Sequence, residues 1–385
     1  MLPRVAWPPV ARAPDTLTLP PASTLAVREG RVASFDLDGR LLTYYEDGVL
    51  YKRALDSRVH ARRRVRGRRE RFLVPDDRAR WVFERAREVA ASWLGSARGE
   101  ARDRLSAILE WTPERLFAER ERFFRVYKPI SILPPDRYFT IVLQATEGCT
   151  WNRCTFCSFY SGRPFSAKDP EAFLEHARAV RDFLGKNALL RNDLFLADGN
   201  ALALSLGRLL PIFEIARAVF PNRPIYSFID VFSGERHEPG FWKALREAGL
   251  AGVYVGMETG HDPLLAWLNK PGSQAELLEF VRVLKGAGLF VGLIVMVGAG
   301  GERFREAHFR DTLEALSRMP LSARDIVFLS PFIEDPRSVY RERREAEGIR
   351  PLSEDETLSE LERFARAIRA LGLRAARYDI REFLY

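Results

Sequence analysis

Six runs of strand-forming residues alternate with helical segments from about residue 137 onward. The runs are apolar and rich in β-branched residues, which favours strands that are buried on both faces. This alternation is typical of a parallel sheet wound in the right-handed sense, so the predicted fold class is α/β. Ligands in such folds bind at the carboxyl ends of the strands. The strand-like runs cover residues 138–143, 194–197, 225–229, 252–256, 290–297 and 325–329, and the helical segments cover 170–185, 205–219, 239–248, 274–287 and 303–318.

The chain as a whole divides into four regions. Short alternating runs with Asp-Gly turn signals, followed by helical spacing, predict a small antiparallel sheet with helices before the strand–helix core. A helix is expected to begin at Thr112, because threonine caps helices and Pro113 fits the first turn. The predicted regions are a Pro-rich disordered arm at 1–25, an accessory or substrate region of sheet and helices at 26–130, the core at 131–340, and a helix with a final strand at 341–385.

Charge is concentrated in one stretch of the first half. The net charge is +8, nearly all of the positive charge is arginine, and a dense cluster from Arg58 to Arg71 has only Glu70 against it. Such a block can neutralise phosphates, so RNA is a candidate partner; a solvated, arginine-rich strand and loop is the alternative. The cluster comprises Arg58, Arg62, Arg63, Arg64, Arg66, Arg68, Arg69 and Arg71.

The apolar residues of the chain predict no membrane segment. No apolar run approaches the roughly 20 residues that a membrane-spanning helix needs. The first residues lack the apolar core of a secretory signal. A cytoplasmic protein without a membrane partner is therefore expected.

All three cysteines of the chain lie within one short loop after the first core strand. Cys149, Cys154 and Cys157 have the spacing C-x4-C-x2-C, and no further cysteine exists. A disulfide framework would use an even, dispersed set, whereas three thiols on one loop indicate a metal or a cluster. Three thiolates can ligate three irons of a cubane and leave the fourth iron open to a ligand. A zinc site completed by a distant histidine and buried thiols without metal are the alternatives.

The cysteine loop resembles that of the radical S-adenosylmethionine (radical SAM) superfamily, including the aromatic Phe156 just before the third cysteine. The resemblance covers about 137–335, and the core is most similar to that of oxygen-independent coproporphyrinogen oxidase and the elongator enzymes. It implies a partial (β/α)6, TIM-like barrel, a 4Fe–4S cluster on Cys149, Cys154 and Cys157, and S-adenosylmethionine as the second cofactor. The usual spacing in the family is C-x3-C-x2-C, so this loop carries one extra residue.

The resemblance also implies contacts to S-adenosylmethionine at the ends of the second and fourth strands. Asp198, Gly199 and Asn200 stand where the family binds the amino group of the methionine moiety, although the usual glutamate is missing here. The run GMETG, which contains Glu258, is similar to the motif whose glutamate binds the ribose hydroxyls. A glutamate that caps the following helix is the alternative for Glu258.

Further cofactor contacts are expected near the ends of the later strands. Gly298 would let the backbone approach the cofactor closely, and Ser330 lies in a run that resembles the adenine wall of the family. Lys270 follows the ribose motif and is expected to meet the methionine carboxylate or the substrate; a solvated lysine is the alternative. Phe156 completes the predicted cofactor contacts. Three residues after the third strand are weaker candidates for substrate or cofactor contacts, namely Ser233, Arg236 and His237.

The resemblance implies a single-cluster radical SAM enzyme that cleaves S-adenosylmethionine reductively and abstracts hydrogen from a substrate. The absence of further cysteines argues against an auxiliary cluster. The substrate is expected to be a small molecule or a peptide, with RNA as the alternative and a non-catalytic iron–sulfur electron-transfer or binding protein as the second alternative. The reaction requires an external one-electron reductant of the flavodoxin or ferredoxin type.

Overall fold

The computed structural model describes residues 14–65, 68–383 and 385, which form two compact units. The first unit comprises the chain up to residue 129 together with 180–191 and Tyr385, and the second comprises 130–179 and 192–383. The predicted boundary between the accessory region and the core is one residue away from this division. No helix in the described part of the chain is long and apolar enough to cross a membrane.

Seven antiparallel strands in chain order form the sheet of the first unit. The hairpin between its fourth and fifth strands turns at Asp47 and Gly48, whose φ angles of 49° and 79° are those of a type I′ turn. The Asp-Gly pair at these positions predicted the turn from the sequence. The strands are β1 (Thr16–Thr18), β2 (Ser23–Arg28), β3 (Arg31–Asp36), β4 (Leu41–Glu46), β5 (Val49–Arg53), β6 (Val59–Val65) and β7 (Arg68–Val74).

Three helices follow this sheet: α1 (Asp76–Leu94), α2 (Gly99–Leu109) and α3 (Pro113–Val126). Helix α1 contacts β2, β3 and β4, and its fully buried Phe83 shares one apolar core with Tyr44 of the sheet. The predicted start of α3 is confirmed, because the Thr112 side chain accepts a hydrogen bond from the Arg115 N–H at 3.3 Å.

The predicted disordered arm at 1–25 is wrong in its second half. Strand β1 pairs with β2, with Leu17 opposite Ala26. Residues 1–13 of that prediction lie outside the described residues. The strand escaped prediction because its three residues are too few to show a period-2 pattern.

The second unit is built on a parallel sheet with the strand order β8-β11-β12-β13-β14-β15-β16. All six predicted strands are present, and the predicted α/β fold of a partial barrel is confirmed. Its strands are β8 (Ile141–Gln144), β11 (Leu194–Ala197), β12 (Ile225–Ile229), β13 (Leu250–Glu258), β14 (Phe290–Val297), β15 (Ile326–Pro331) and β16 (Ala375–Arg377), and a separate two-stranded ribbon joins β9 (Thr146–Glu147) to β10 (Ser166–Ala167).

The helices that alternate with these strands agree with the predicted segments within a few residues at each end. Their glycine and proline boundaries explain the agreement, as at the end of α7, where Gly249 has a φ of 117°. The helices are α4 (Pro170–Leu184), α5 (Leu206–Val219), α6 (Val231–Gly234), α7 (Pro239–Ala248), α8 (Asp262–Trp267), α9 (Gln274–Gly286), α10 (Gly301–Arg318), α11 (Val339–Ala346) and α12 (Glu354–Ala370).

The final strand predicted for the region 341–385 was expected in its last residues, 378–385, and this position is wrong. The strand is β16, which lies earlier and joins β15 in parallel, with Phe328 opposite Ala376. Residues Ile380–Glu382 form a 3-10 turn instead. Alanines and an arginine give β16 no β-branched signature, so only its pairing with β15 makes it a strand. The sheet therefore has seven strands rather than six.

Aromatic rings fill the space enclosed by this sheet. Phe195 packs edge-on against Phe228 with ring centroids 5.0 Å apart, and Tyr254 lies 6.3 Å from Phe328. A packed interior of this kind closes the middle of the barrel. The carboxyl ends of the strands are therefore the place where a cavity can open.

Candidate active site

One cavity of about 250 Å³ lies at the carboxyl ends of the strands in the second unit. It brings together residues from the cysteine loop and from β11, β13, β15 and the segment after α8. Of the predicted cluster ligands and cofactor contacts, all except Asp198 and Gly298 line it, whereas none of the three weaker candidates after the third strand does; the lining residues are Cys149, Cys154, Cys157, Phe156, Gly199, Asn200, Glu258, Lys270 and Ser330.

Two asparagines shape the cysteine loop and accommodate its extra residue. Asn152, between the first two cysteines, has a φ of 48° and donates from Nδ2 to the Tyr160 carbonyl at 3.0 Å. Asn269, also left-handed at 53°, donates to the Arg153 carbonyl at 2.7 Å. Its own carbonyl accepts the Trp151 indole N–H at 2.9 Å. Asparagine tolerates this backbone region better than most residues, so the longer loop folds with little strain.

The three cysteines offer soft sulfur donors to the cavity. Burial raises the pKa of Cys154 to about 12 and also raises the pKa of Cys157, while nearby Lys270 acts in the opposite direction. Within the described ranges, no three His, Cys, Asp or Glu side chains are grouped as they would be around a single metal ion. Three thiols on one loop without a fourth cysteine are the donor set that suits three corners of a cubane cluster.

Glu258 and Lys270 form a buried ion pair in the cavity wall. The Lys270 Nζ donates to Glu258 Oε1 at 3.1 Å, and both side chains are about nine-tenths buried. Burial acts to lower the pKa of Lys270, but Glu258, Cys154 and Asp230 outweigh it, so the pKa is raised and the ammonium stays charged.

The left-handed backbone at Glu258 and the glycine at position 256 make room for this ion pair. Glu258 has a φ of 57°, and the pairing of β13 with β14 shifts its register just before it. Non-glycine residues in this region are strained, and such strain collects at functional sites. A Cβ atom at Gly256 would lie 2.5 Å from Glu258 Oε1, so only glycine leaves room for the carboxylate.

Asn200 is the centre of a polar network beside the Glu258–Lys270 pair. Its Nδ2 donates to Ser233 Oγ at 2.8 Å, to Thr150 Oγ1 at 3.0 Å and to the Asp230 carboxylate. Asp230 lines the cavity, and it also caps α6 by accepting the Ser233 N–H at 2.7 Å. Sequence reasoning missed Asp230, although its position directly after strand β12 was a usable signal.

Asp198 lies behind the cavity wall rather than on it. Its carboxylate accepts hydrogen bonds from the Tyr160 hydroxyl at 3.1 Å and from Arg163 at 3.3 Å. Burial raises the pKa of Asp198 despite the guanidinium of Arg163. The neighbouring Gly199 does reach the cavity, and a Cβ there would lie 2.0 Å from the Gly148 carbonyl oxygen. This close approach ties the end of β11 to the cysteine loop.

The remaining predicted residues divide between the cavity and its surroundings. Gly298, with a φ of 95°, faces Thr357 and Phe332 and is not among the described lining residues. His237 bonds the Leu202 carbonyl at 2.9 Å, and Arg236 is exposed over the ring of Phe232. Neither Arg236 nor His237 is part of the cavity wall.

The far wall of the cavity is apolar and was not foreseen from the sequence. It includes Phe228 from β12, Ile294 and Met296 from β14, and Tyr378 and Ile380 from the segment after β16. The Tyr378 side chain is fully buried, and its ring packs on Phe328. No local sequence pattern predicts this wall, because its residues come from distant parts of the chain.

Family comparison identifies the core that carries this cavity. Residues 143–316 match the model of the Radical SAM superfamily. The chain carries a radical SAM domain. The match confirms the predicted family for this domain, and radical SAM domains use a 4Fe–4S cluster and S-adenosylmethionine. No curated protein matches the chain in sequence.

Solved structures of radical SAM proteins are similar to the chain at low identity. Coproporphyrinogen III oxidase (HemN) from Escherichia coli is 14% identical with a TM-score of 0.45, over 60% of this chain and 52% of that one. Methylornithine synthase (PylB) is 15% identical with a TM-score of 0.43, over 76% and 81%. The archaeal Methanocaldococcus infernus Elp3 is 12% identical with a TM-score of 0.42, over 62% and 56%. The chain thus spans about half the length of HemN.

Proposed function

We propose that the radical SAM domain of this chain abstracts hydrogen from a small molecule or a peptide, using a cluster held by Cys149, Cys154 and Cys157. The observation that carries the proposal is one cavity that joins all three thiols to the Glu258–Lys270 ion pair. The thiols can hold iron, and the ion pair can orient a cofactor beside it. When bound, the cluster supplies the electron that splits S-adenosylmethionine into methionine and a 5′-deoxyadenosyl radical.

The residues of the chain bind and position the cofactor. In this proposal Glu258 accepts ribose hydroxyl hydrogens, since a carboxylate has acceptor sites beyond the one that Lys270 occupies. Lys270, which keeps its charge, attracts the methionine carboxylate. Asn200 and the backbone at Gly199 bound the same side of the cavity. Phe156 and Ser330 complete the wall and exclude water from the reacting atoms.

A small or extended substrate suits the rest of the cavity. Beyond the polar residues the wall is apolar, with Phe228, Ile294 and Tyr378 facing the enclosed space. Such a wall suits a carbon-rich group that offers a C–H bond to the radical, such as a small metabolite or one side chain of a peptide.

The decisive experiment removes the iron ligands together. In the triple variant Cys149→Ala, Cys154→Ala, Cys157→Ala, we expect 5′-deoxyadenosine formation to fall to background after anaerobic reconstitution and reduction with dithionite. The visible absorbance of the iron–sulfur cluster should disappear with it, because no cysteine is left to ligate iron. Chromatographic quantification of 5′-deoxyadenosine measures the effect.

The control variant is Ser161→Ala, an exposed position just after the cysteine loop. It should retain both the cluster and cleavage. Detectable 5′-deoxyadenosine from the triple variant would contradict the proposal. Deuterium transfer into 5′-deoxyadenosine from deuterated small metabolites, from peptides or from total RNA, each tested separately, would identify the class of substrate.

RNA is the second candidate substrate, and the β6–β7 hairpin favours it. Arg62 stands directly opposite Arg71, an arrangement of like charges that an anion would relieve. Exposed Phe72 has the guanidinium of Arg63 at 5.5 Å, which suits stacking with a base. Against this, Arg63 and Arg58 are paired with Glu70 and Asp56. Arg66 of the predicted cluster lies outside the described residues, as do the side chains of Arg68 and Arg69.

A further inference from the structure

Four side chains form a ladder of rings and guanidinium groups on the outer side of the cysteine loop. The ring of Trp151 lies 5.8 Å from that of Phe232 in an edge-on contact. Arg153 lies over Trp151 at 5.5 Å, and Arg236 lies over Phe232 at 3.8 Å. We refer to these four residues as the arginine–aromatic patch. Tryptophan and arginine are the residues that most often dominate the energy of protein interfaces.

The patch carries positive charge that the chain itself does not neutralise. Among the described residues, no carboxylate forms an ion pair with Arg153 or with Arg236. Exposed Arg337 has only a 3.9 Å contact with Asp335. Glu235 precedes Arg236 in the chain, and its pKa is raised by burial and by the carboxylates of Glu276 and Glu279. Within the described residues, the surface therefore combines two arginines that have no ion pair with Arg337, which has a long one.

A second cavity connects this charged surface to the thiols. It measures about 700 Å³ and is lined by Arg153 and Arg337 as well as by Cys154 and Cys157. Val339 in its wall is 59% exposed, which adds an apolar contact point between the charges. Cys154 and Cys157 thus line both this cavity and the first one.

We propose that the arginine–aromatic patch is the docking surface for an acidic one-electron reductant protein. This inference rests on the proposed function, which requires one electron for each cleavage of S-adenosylmethionine. The chain has no cysteines beyond the three of the loop, so no second cluster can relay that electron from elsewhere in it. The reductant is oxidised by one electron, and that electron breaks the sulfur–carbon bond of S-adenosylmethionine.

The position of the patch favours a reductant over other partners. Trp151 and Arg153 lie between Cys149 and Cys154 in the chain, so a protein bound there would lie directly beside the loop that carries the thiols. Positive charge beside a redox site attracts a negatively charged carrier and speeds its encounter. An RNA substrate would instead have to reach the first cavity, where the radical forms.

The test reverses the charge of the patch with Arg153→Glu and Arg236→Glu in one variant. We expect the Kd for an acidic flavodoxin, measured by calorimetry on the purified chain at low salt, to rise by about tenfold or more. The rate of 5′-deoxyadenosine formation driven by reduced flavodoxin should fall by a similar factor. The rate driven by dithionite should stay within about twofold, because a small reductant needs no docking surface.

Two further variants serve as controls. Arg246→Glu with Arg318→Glu reverses two exposed arginines at the ends of α7 and α10 and should leave the flavodoxin-driven rate unchanged. Arg153→Lys with Arg236→Lys keeps the charge and should retain most of the affinity. At high salt the flavodoxin affinities of the wild-type chain and of the charge-reversed variant should become similar, because salt screens the charges of the patch.

Several outcomes would overturn the inference. These are an unchanged flavodoxin affinity in the charge-reversed variant, an equal loss with both reductants, and a loss of RNA binding or of self-association in place of flavodoxin binding. Failure of the proposed function is distinguishable, since the wild-type chain would then form no 5′-deoxyadenosine with dithionite.

Discussion

Two buried charge clusters, one in each unit, differ in how fully their hydrogen bonds are used. In the first unit the guanidinium of Arg40 donates to the carboxylates of Asp36, Asp38 and Glu119 and to two backbone carbonyls. These bonds employ all five of its N–H donors. Arg40 and its main partners Asp36 and Glu119 are almost completely buried. The guanidinium of Arg40 has no donor left for a ligand.

The Glu258–Lys270 pair of the second unit is the opposite case. An ammonium group has three donors, and the described hydrogen bonds of Lys270 Nζ comprise only the one to Glu258. Both groups face a cavity. A saturated buried cluster is a structural device, whereas a buried pair with spare donors and acceptors is a place for a ligand. The comparison predicts that the two clusters respond differently to mutation.

The largest effect is expected on stability at the saturated cluster. Arg40→Met should lower the free energy of unfolding by about 3–5 kcal/mol, because it leaves buried carboxylates without their partner. Chemical denaturation measures the change. The control Arg125→Met, at an exposed arginine of α3, should cost less than about 0.5 kcal/mol. If both variants lost the same stability, saturation would not be what distinguishes the Arg40 cluster.

The second effect is expected on activity at the unsaturated pair. Glu258→Gln should lower kcat/KM for S-adenosylmethionine cleavage by about a hundredfold, roughly 2.7 kcal/mol, because an amide accepts fewer hydroxyl bonds and no longer balances Lys270. The free energy of unfolding should change by less than about 1 kcal/mol, since both groups face the cavity. Assays of 5′-deoxyadenosine alongside denaturation separate the two effects.

Exposed Glu279→Gln on α9 is the matched control and should change neither quantity. A Glu258→Gln variant that lost several kcal/mol of stability while its folded fraction kept full activity would assign the pair to the structural class and reverse the comparison.

The effect that is smallest at neutral pH, and that grows only as the pH falls, concerns a buried titratable group without a countercharge. Burial lowers the pKa of His308 to about 3, helped by nearby His261, while Asp311, which could oppose the shift, is hydrogen-bonded to His261 at 2.6 Å. Below a pH of about 6.5, the ordinary pKa of histidine, His308 binds a proton in the unfolded chain. In the folded chain it stays neutral until the pH approaches 3. Stability should therefore fall as the pH drops from about 6.5 toward 3, by up to roughly 1.4 kcal/mol per pH unit.

Unfolding curves of the wild-type chain and of His308→Gln over this pH range measure the contribution. The variant should show a shallower decline, since it lacks the group that titrates differently in the two states. Parallel curves would mean that His308 binds its proton equally well in the folded and the unfolded chain.

The sequence predicted the local parts of this molecule better than the parts made by distant contacts. The bounds of β11, β12 and β14 match the predicted runs, because apolar β-branched runs between helix ends carry their own signal. Strand β16 was misplaced, since its alanines become a strand only by pairing with β15. The number of strands and the path of the final segment could therefore be established only from the structure.

The same distinction holds within the site. The cysteine loop is a local motif, and the structure places its three thiols in one cavity with Glu258 and Lys270. The anchoring of that loop by Asn269 and the part of Asp230 in the wall depend on side chains that meet across the fold. A single sequence does not show which distant side chains will contact one another in the fold.

The cavity wall has a consequence for the order in which the chain folds. Ile132, near the start of the second unit, and Ile380, near its end, border the same chamber. Contacts between residues so far apart form late, because a long loop must close before they are made. A partly folded chain would thus expose the thiols, and the wall of the chamber is complete only after β16 has paired with β15. Iron loading would then need only the cysteine loop, whereas chemistry that depends on the apolar wall would need the finished barrel.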